Sequence, residues 1–258
     1  MATTVSPPAE ASTSKFNPKG GVAPLRAGQG SEFFWRRLHS LTGIVPVGAF
    51  LFEHIMISNS MVARGPVAYS NTVEFLGGLP FVFFLELFGI WIPIAFHGLY
   101  GFWIWYRGVP NLINYSWAGN WMYSLQRWTG GIAWFYILYH VATKRFMGVD
   151  LHEHPGASFG KMQESMQSDL ILAFYIIGTL SACWHFGYGI WLFCAKWGIV
   201  TGERARKGLL VGCLGIALLM SAVGVRSLFA FRQWDPQPTD PAGAKQIQNA
   251  TEEVPKRQ

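Results

Sequence analysis

Residues 43–58 read GIVPVGAFLFEHIMIS, an apolar run in which one acidic residue and one imidazole stand side by side. A helix needs about 20 residues to cross the ~30 Å hydrocarbon core of a bilayer, and this run supplies most of them. Glu53 and His54 therefore fall at a depth that water rarely reaches. A polar side chain is costly there and usually marks a function, which the other histidines help to define.

The composition is that of a helical membrane protein. Of the 258 residues 51% are hydrophobic and 13% are charged, and there are 12 Trp and 20 Phe. The apolar residues gather in five segments of membrane-spanning length, at about residues 38–62, 81–106, 124–146, 170–196 and 207–231. We expect an all-α integral membrane bundle of five transmembrane helices over residues 31–232. A flexible tail at 1–30, without the apolar core of a signal peptide, and a polar tail at 233–258 flank it.

The basic residues favour one orientation in the membrane. Those before span one or in the second and fourth connections are Arg26, Arg36, Arg37, Arg107, Arg127, Lys196, Arg204, Arg206 and Lys207. The opposite side has Arg64, Lys144, Arg145, Lys161 and the charges of the C-terminal tail. Basic residues near span ends favour the cytoplasmic face, so we expect the N-terminus inside and the C-terminus outside. No basic stretch with exposed aromatic residues stands apart from the spans, which argues against nucleic-acid binding.

The three cysteines give no sign of a redox or metal motif. Cys183, Cys194 and Cys213 all fall within predicted spans, and no C-x-x-C or C-x-x-C-H sequence occurs. This argues against covalently attached c-type haem and against a zinc knuckle. We interpret the thiols as small buried hydrophobic groups.

Four of the seven histidines lie at matched depth, one in each of spans one to four: His54, His97, His140 and His185. Each is 15 or 16 residues from the start of its span, or roughly 24 Å at ~1.5 Å per residue. Spans one and three run outward and spans two and four run back. This alternation pairs His54 with His140 in the outer half and His97 with His185 in the inner half, at levels roughly 12–18 Å apart.

Two imidazoles on different helices at one level are what bis-histidine haem ligation requires. We therefore expect two stacked b-type haems enclosed by spans one to four. His54 and His140 would hold the outer iron, and His97 and His185 the inner one. The alternative for each residue is a packed polar side chain bonded to a neighbouring helix, but four at matched depths are harder to explain that way.

Small residues next to two of these histidines add modest support. A flat macrocycle needs space against the helix backbone, although small residues also permit ordinary helix contact. The residues concerned are Gly98 and Gly101 near His97, and Gly187 and Gly189 after His185.

The remaining histidines are weaker candidates for ligands. His39 lies at the inner boundary of span one, and we assign it to a haem propionate or a lipid headgroup. Some quinone cytochromes place two ligands on one helix at a similar spacing, but no second helix repeats the pattern here. His152 and His154 belong to DLHEHPG at 150–156, where an H-x-H metal site competes with a solvated loop.

Acidic and basic residues near the two levels suggest further contacts. Ser40, Arg127 and Lys196 lie at a depth from which they could reach the inner propionates, while snorkelling to the interface is the alternative for the two cations. Glu86 precedes His97 by eleven residues and so shares its helix face near the outer level. An intramembrane carboxylate could exchange protons with a quinone, or could bond a neighbouring backbone. Weaker candidates of this kind are Glu53, Glu74 and Arg226.

Several motifs resemble one family of membrane cytochromes. They are FFWRRLHSLTGIVPVGAFLFEH, HGLYG, NWMYSLQRWTGG, YH and HFGYGIW, spread from about residue 31 to residue 231. They resemble the diheme cytochrome b subunit of succinate:quinone oxidoreductase and fumarate reductase, in the single-subunit, five-helix type found in Bacillus.

The resemblance implies partners and cofactors beyond this chain. It implies a membrane anchor, in the bacterial cytoplasmic membrane, for a flavoprotein with FAD and an iron–sulfur protein. The dicarboxylate chemistry would then lie on the flavoprotein. Polar groups at positions resembling His39, Ser40 and Lys196 surround the proximal propionates in this family, and quinone, commonly menaquinone, reacts near the distal haem. Some relatives carry an essential glutamate on the fifth helix, which span five of this sequence lacks.

These features together predict an electron-transfer subunit. We expect the chain to pass electrons through two haems between an iron–sulfur partner and quinone by outer-sphere transfer. Another diheme quinone cytochrome, serving a hydrogenase or a formate dehydrogenase, is the nearest alternative. A proton-coupled transporter with midplane histidines is an alternative of a different class.

Overall fold

The computed structural model describes residues 29–108, 117–147 and 156–235, and within these ranges it is all-helical. Its α-helices are α1 (Gln29–Ile44), α2 (Pro46–Glu53), α3 (Pro66–Gly77), α4 (Val82–Glu86), α5 (Ile92–Arg107), α6 (Ala118–Val141), α7 (Ala157–Met166), α8 (Asp169–Lys196) and α9 (Glu203–Gln233). The chain divides into two compact units, residues 1–36 and 37–258. The first contributes only the beginning of α1 to the described residues, and the contacts below lie within the second.

Among the residues that the structure describes, four helical segments are long and apolar enough to cross a membrane: Gly30–Arg64, Val82–Arg107, Asp169–Lys196 and Glu203–Gln233. They match four of the five predicted spans. The third predicted span is continuously helical, as α6 with the turn that follows it, but is not among the four. Gln126, Arg127, Lys144 and Arg145 lower its apolar character, so a fifth span stays a prediction.

The first span is a chain of short helices rather than one regular helix. Pro46 has no N–H to donate, and α1 ends just before it, at Ile44. After α2 the chain continues as a π-helical turn at His54–Ser58 and a 3₁₀ helix at Asn59–Arg64. The predicted histidine therefore stands at the first residue of a π turn, a feature that is frequent at functional sites.

Neighbouring long helices run antiparallel. Gln126 in the first half of α6 bonds the backbone of His185 in the second half of α8. The hydroxyl of Tyr136, near the end of α6, lies 3.4 Å from the hydroxyl of Thr179 in the first half of α8. Contacts at both ends show that α8 and α9 are also antiparallel. The indole N–H of Trp191 donates to the carbonyl oxygen of Arg206, and at the other end Arg232 pairs with Asp169. For α6, α8 and α9, the alternation of direction assumed from sequence is thus present.

The best-packed region lies at one end of the bundle. Its fully or largely buried residues are Val62, Phe159, Met162, Met166, Leu172, Tyr175, Leu228 and Phe231. Tyr69 of α3 and Trp234 pack against them. Since the connecting helices α3 and α7 both contribute to it, we name this the α3–α7 end.

Candidate functional site

The four histidines at matched depth meet in two pairs. The ring centres of His54 and His140 are 5.9 Å apart with an interplanar angle of 65°. Those of His97 and His185 are 6.0 Å apart with an angle of 83°. These are the pairs predicted from the depths, whereas binding of haem between them stays a prediction.

The two pairs lie at separate levels along the bundle. On the first span, Gly43 lies against the ring of His97, since a Cβ added to Gly43 would come 2.3 Å from its Cε1. His54, eleven residues further along the same span, meets His140. Eleven residues correspond to a rise of roughly 16 Å in a helix, within the separation expected from sequence.

His97 is fixed by the backbone and side chain of His39. Its Nδ1–H donates to the carbonyl oxygen of His39 over 2.9 Å, because a carbonyl oxygen only accepts. The two imidazole rings stack in parallel, 4.2 Å apart at 7°. The bond at Nδ1 leaves Nε2 of His97 as the nitrogen for a metal, which is the usual arrangement of a histidine ligand and its supporting acceptor.

His185 is held in the same manner from α6. Its Nδ1–H donates to the carbonyl oxygen of Gln126 over 2.9 Å, and the Gln126 amide donates back to the carbonyl oxygen of His185 over 2.9 Å. This reciprocal clamp fixes the tautomer and again leaves Nε2 available. Sequence reasoning missed Gln126, whose signal is a polar amide about two turns inside a largely apolar, aromatic helix.

The second pair has looser support from side chains. Nδ1 of His140 lies 3.4 Å from the hydroxyl of Tyr175, which belongs to the buried cluster at the α3–α7 end. The ring of His54 stacks on Phe50 at 5.4 Å. The neighbouring carboxylate of Glu53 accepts a 2.5 Å hydrogen bond from Ser58, so this acid, unexplained by the sequence, is tied to the end of the π turn.

Of the four glycines selected from sequence, Gly101 and Gly189 lie near the inner pair, since a Cβ on them would come 3.3 Å from Nε2 of His39 and 3.6 Å from Nε2 of Gln126. The other two serve different contacts. A Cβ on Gly98 would meet the ring of Trp134 at 2.1 Å, and one on Gly187 would meet the carbonyl oxygen of Cys213 at 2.7 Å, so both serve contacts between helices. The histidine rings rest instead on two glycines of other spans. They are Gly43, under His97, and Gly130, where a Cβ would lie 2.7 Å from Cε1 of His185.

Only some of the residues expected at the inner propionates lie close to the inner histidine pair. His39 stacks on the ligand candidate His97, which sequence did not predict. Ser40 donates to the carbonyl oxygen of Arg37 and accepts from the indole N–H of Trp197 over 3.1 Å. The ammonium of Lys196 is within electrostatic range of His39.

Arg127 has a partner on its own helix but retains unused hydrogen-bonding capacity. It donates to the hydroxyl of Tyr123, and its guanidinium lies 4.0 Å from the centre of that ring. Its buried Nη1 has no partner among the described residues. The orphaned donor is compatible with an anionic group at the inner level.

Glu86 makes an ion pair with a residue that sequence reasoning did not connect with it. Its Oε2 lies 3.0 Å from Nη2 of Arg145. A basic residue inside a predicted span was the available signal, since a cation at that depth needs a partner. His152 and His154 lie outside the described residues.

The histidine pairs fit two haem irons in spacing. Two metal–nitrogen bonds of about 2 Å, with roughly 1 Å from each nitrogen to its ring centre, place two ring centres about 6 Å apart. The observed values are 5.9 and 6.0 Å. Each of the four histidines is a residue of intermediate exposure.

Comparison with known proteins decides the family. Residues 109–223 match the family described as "Succinate dehydrogenase/Fumarate reductase transmembrane subunit". The chain is also 37% identical over 203 residues to the "Succinate dehydrogenase cytochrome b558 subunit" of Bacillus subtilis (strain 168), covering 78% of this chain and 97% of the relative. The chain belongs to this family.

Membership in the succinate dehydrogenase/fumarate reductase transmembrane subunits confirms the resemblance seen in the motifs. The description "transmembrane" agrees with the four apolar helices, and the role of a membrane subunit in a succinate dehydrogenase or fumarate reductase complex follows. The two alternatives, a cytochrome of another oxidoreductase and a transporter, are not favoured. The Bacillus relative is by name a cytochrome b, the class of protein that holds b-type haem.

Proposed function

We propose that this chain is a diheme cytochrome b anchor that carries electrons between an iron–sulfur subunit and a quinone, because two histidine pairs at separate levels of one bundle suit electron transfer across it. The observation that carries the proposal is the spacing of the pairs, with ring centres 5.9 and 6.0 Å apart. The relative's name adds that a close homologue is a cytochrome b of succinate dehydrogenase.

Each pair has a distinct place in the proposal. His97 and His185 would hold an inner, proximal haem through Nε2, because Nδ1 of each ring donates to a backbone carbonyl oxygen. His54 and His140 would hold an outer, distal haem. Haem b would supply reversible one-electron chemistry, and both histidines of each pair would be ligands of its iron, which would disfavour oxygen chemistry.

The chain's own residues then keep the sites dry and oriented. Aromatic side chains cover the pairs, with Phe50 on His54 and Tyr136 within 5.9 Å of His140. His39 and Gln126 fix the inner imidazoles through their carbonyl oxygens. Such fixed acceptors raise ligand basicity and so help to set the potential of a bound iron.

The orientation follows from the distribution of charge. The end opposite the α3–α7 end carries Arg107, Arg204, Arg206 and Lys207, and basic residues favour the cytoplasmic face. We place the inner pair and the iron–sulfur partner on that side, with the flavoprotein and its FAD beyond the partner. The α3–α7 end is then on the outer side of a bacterial cytoplasmic membrane. In this arrangement α6 is the third of five spans in chain order.

Quinone would react near the outer pair, with menaquinone the expected type. Glu86 is the acid we assign to proton exchange there, since its largely buried ion pair with Arg145 lies near the outer ends of the second and third predicted spans. Dicarboxylate chemistry belongs to the flavoprotein partner. Ser40, Arg127 and Lys196 remain our candidates for the inner propionates.

The test is the number of haems held by matched histidine variants. Purified wild-type protein should show two low-spin b-type haems per chain in reduced-minus-oxidised spectra. Replacing His97 and His185 together with Ala should remove the inner haem, and replacing His54 and His140 should remove the outer one. His152→Ala, in a predicted loop, is the control and should keep both. Two haems in either double variant would contradict the assignment.

A further inference from the structure

A largely buried ion pair near the outer ends of two predicted spans belongs to neither histidine pair. Nη2 of Arg145 is 3.0 Å from Oε2 of Glu86, and the two side chains are only 27% and 22% exposed. Charged groups are expensive in hydrocarbon and rarely stay there without a function. The pair joins the second span to the π turn that directly follows α6, the helix of His140.

Two irregular turns hold this pair in place. Glu86 is the residue before a π turn at Leu87–Trp91, and Arg145 belongs to a second π turn at Ala142–Phe146. The rings of Trp91 and Phe146 meet beside them, with centres 5.0 Å apart. π turns inside α-helices are frequent at functional sites.

The pair lies close to the level of the outer histidines. Arg145 follows His140 by five residues, a rise of about 7 Å along the helix. It lies between that level and the α3–α7 end. A small molecule bound by Arg145 would therefore stand next to the outer haem of the proposed function.

The hydrogen bonding of Arg145 is incomplete. The guanidinium has five N–H donors, and its buried Nε–H has no acceptor among the described residues. A buried donor without an acceptor costs free energy, so an oxygen atom supplied from outside the chain would stabilise the arrangement. On the proposed function, two groups could supply such an oxygen at this level, a quinone carbonyl or a carboxylate of the outer haem.

The charge of the pair distinguishes these sources. Glu86 already neutralises Arg145, so the pair as a whole carries no net charge. A second carboxylate would be repelled by Glu86, whereas a neutral carbonyl oxygen accepts a hydrogen bond from the guanidinium without that cost.

We propose that Arg145, oriented by its ion pair with Glu86, is a positioning residue that donates a hydrogen bond to a carbonyl oxygen of the quinone headgroup. The inference rests on the proposed function, because it requires quinone to react at the outer level. No covalent step is involved: Arg145 orients the ring and Glu86 orients Arg145.

The experiment measures quinone kinetics and haem spectra in the intact membrane complex. In Arg145→Gln the KM for the soluble probe 2,3-dimethyl-1,4-naphthoquinone should rise about tenfold or more, with a smaller rise in Arg145→Lys. Succinate-dependent reduction of a dye that accepts electrons before the haems should be unchanged. Both haems and the potential of the outer one should be unchanged as well.

A neighbouring cation provides the control. Lys144 lies in the same π turn but donates to the hydroxyl of Ser165 on α7, away from Glu86. Lys144→Gln should therefore leave the KM for the probe at the wild-type value. The exchange of both charges, Glu86→Arg with Arg145→Glu, keeps the ion pair and moves the guanidinium; it should assemble and still show the raised KM.

Each other outcome overturns the inference. An unchanged KM in Arg145→Gln and in the charge exchange would do so. A loss of the outer haem or a shifted outer potential with an unchanged KM would show that Arg145 holds a propionate. Failure of the proposed function is distinguishable, because the wild-type complex would then show no quinone-dependent oxidation of its haems.

Discussion

At the scale of single residues, the two ring nitrogens of the inner histidines have separate tasks. In His97 and His185, Nδ1 is engaged with a backbone carbonyl oxygen and Nε2 is left over. The carbonyl groups come from positions in other spans, so each imidazole is oriented by a helix that it does not belong to. The proposed ligands are thus set by tertiary contacts that a motif does not contain.

Gly43 and Gly130 make the clearest prediction at this scale. Adding one methyl group, in Gly43→Ala or Gly130→Ala, places a Cβ at 2.3 or 2.7 Å from an imidazole that its Nδ1 bond holds in place. Such overpacking costs about 1–3 kcal/mol if the ring stays and displaces the ring if it does not. On the proposed function each variant should retain the outer haem and lose most of the inner one, as measured by haem content per chain.

The matched control for these variants is Gly212→Ala on α9, where a Cβ would meet nothing within 4 Å. It should bind haem like the wild type and gain slightly in helix propensity. Full haem content in Gly43→Ala would contradict the prediction, because it would show that the ring of His97 can move without loss of the inner haem.

At the scale of elements, the irregular turns cluster where the outer site is. π turns start at His54 and directly after Glu86, and a third starts two residues beyond His140. The connecting helices α3 and α7 close the same end with a buried aromatic cluster. The outer half is therefore shaped by departures from regular helix, which hydrophobic periodicity does not predict.

The stability of the α3–α7 end should depend on pH through Tyr69 of α3. Its ring packs edge-on against Phe159 and Phe231, and burial raises the pKa of Tyr69 to about 12 from an ordinary value of 10.0. Since the folded pKa is raised, the stabilisation is complete below pH 10 and is lost as the pH rises towards 12. The melting temperature of the detergent-solubilised protein should fall more steeply over this range than that of Tyr69→Phe, and equal slopes would contradict this.

At the scale of the whole molecule, the antiparallel packing of neighbouring helices brings matched depths together. A histidine at a fixed distance from the start of each span alternates between two levels, which is why depth alone predicted which histidines would meet. Depth did not predict that His39 stacks on His97, that Glu86 pairs with Arg145, or that Gly43 and Gly130 accommodate the rings. Those contacts depend on how each helix is rotated about its axis.

The orientation of the bundle can be tested with single cysteines. Lys161 on α7 and Lys207 at the start of α9 are both exposed, at opposite ends of the bundle. A membrane-impermeant thiol reagent added to whole cells should label Lys161→Cys and should reach Lys207→Cys only after the cells are opened. The parent protein measures the background from Cys183, Cys194 and Cys213. The reverse pattern would contradict the proposed topology.

The sequence by itself determined the helical membrane class, four of the apolar spans, the family and the depth of the four histidines. These depend on composition, length and motif, all of which are local along the chain. Only the tertiary structure decided which nitrogen of His97 and His185 is free, which glycines lie under their rings, and that Arg145 forms an ion pair with Glu86. The physical reason is that helix rotation and side-chain direction are fixed by packing between helices, to which many distant residues contribute at once.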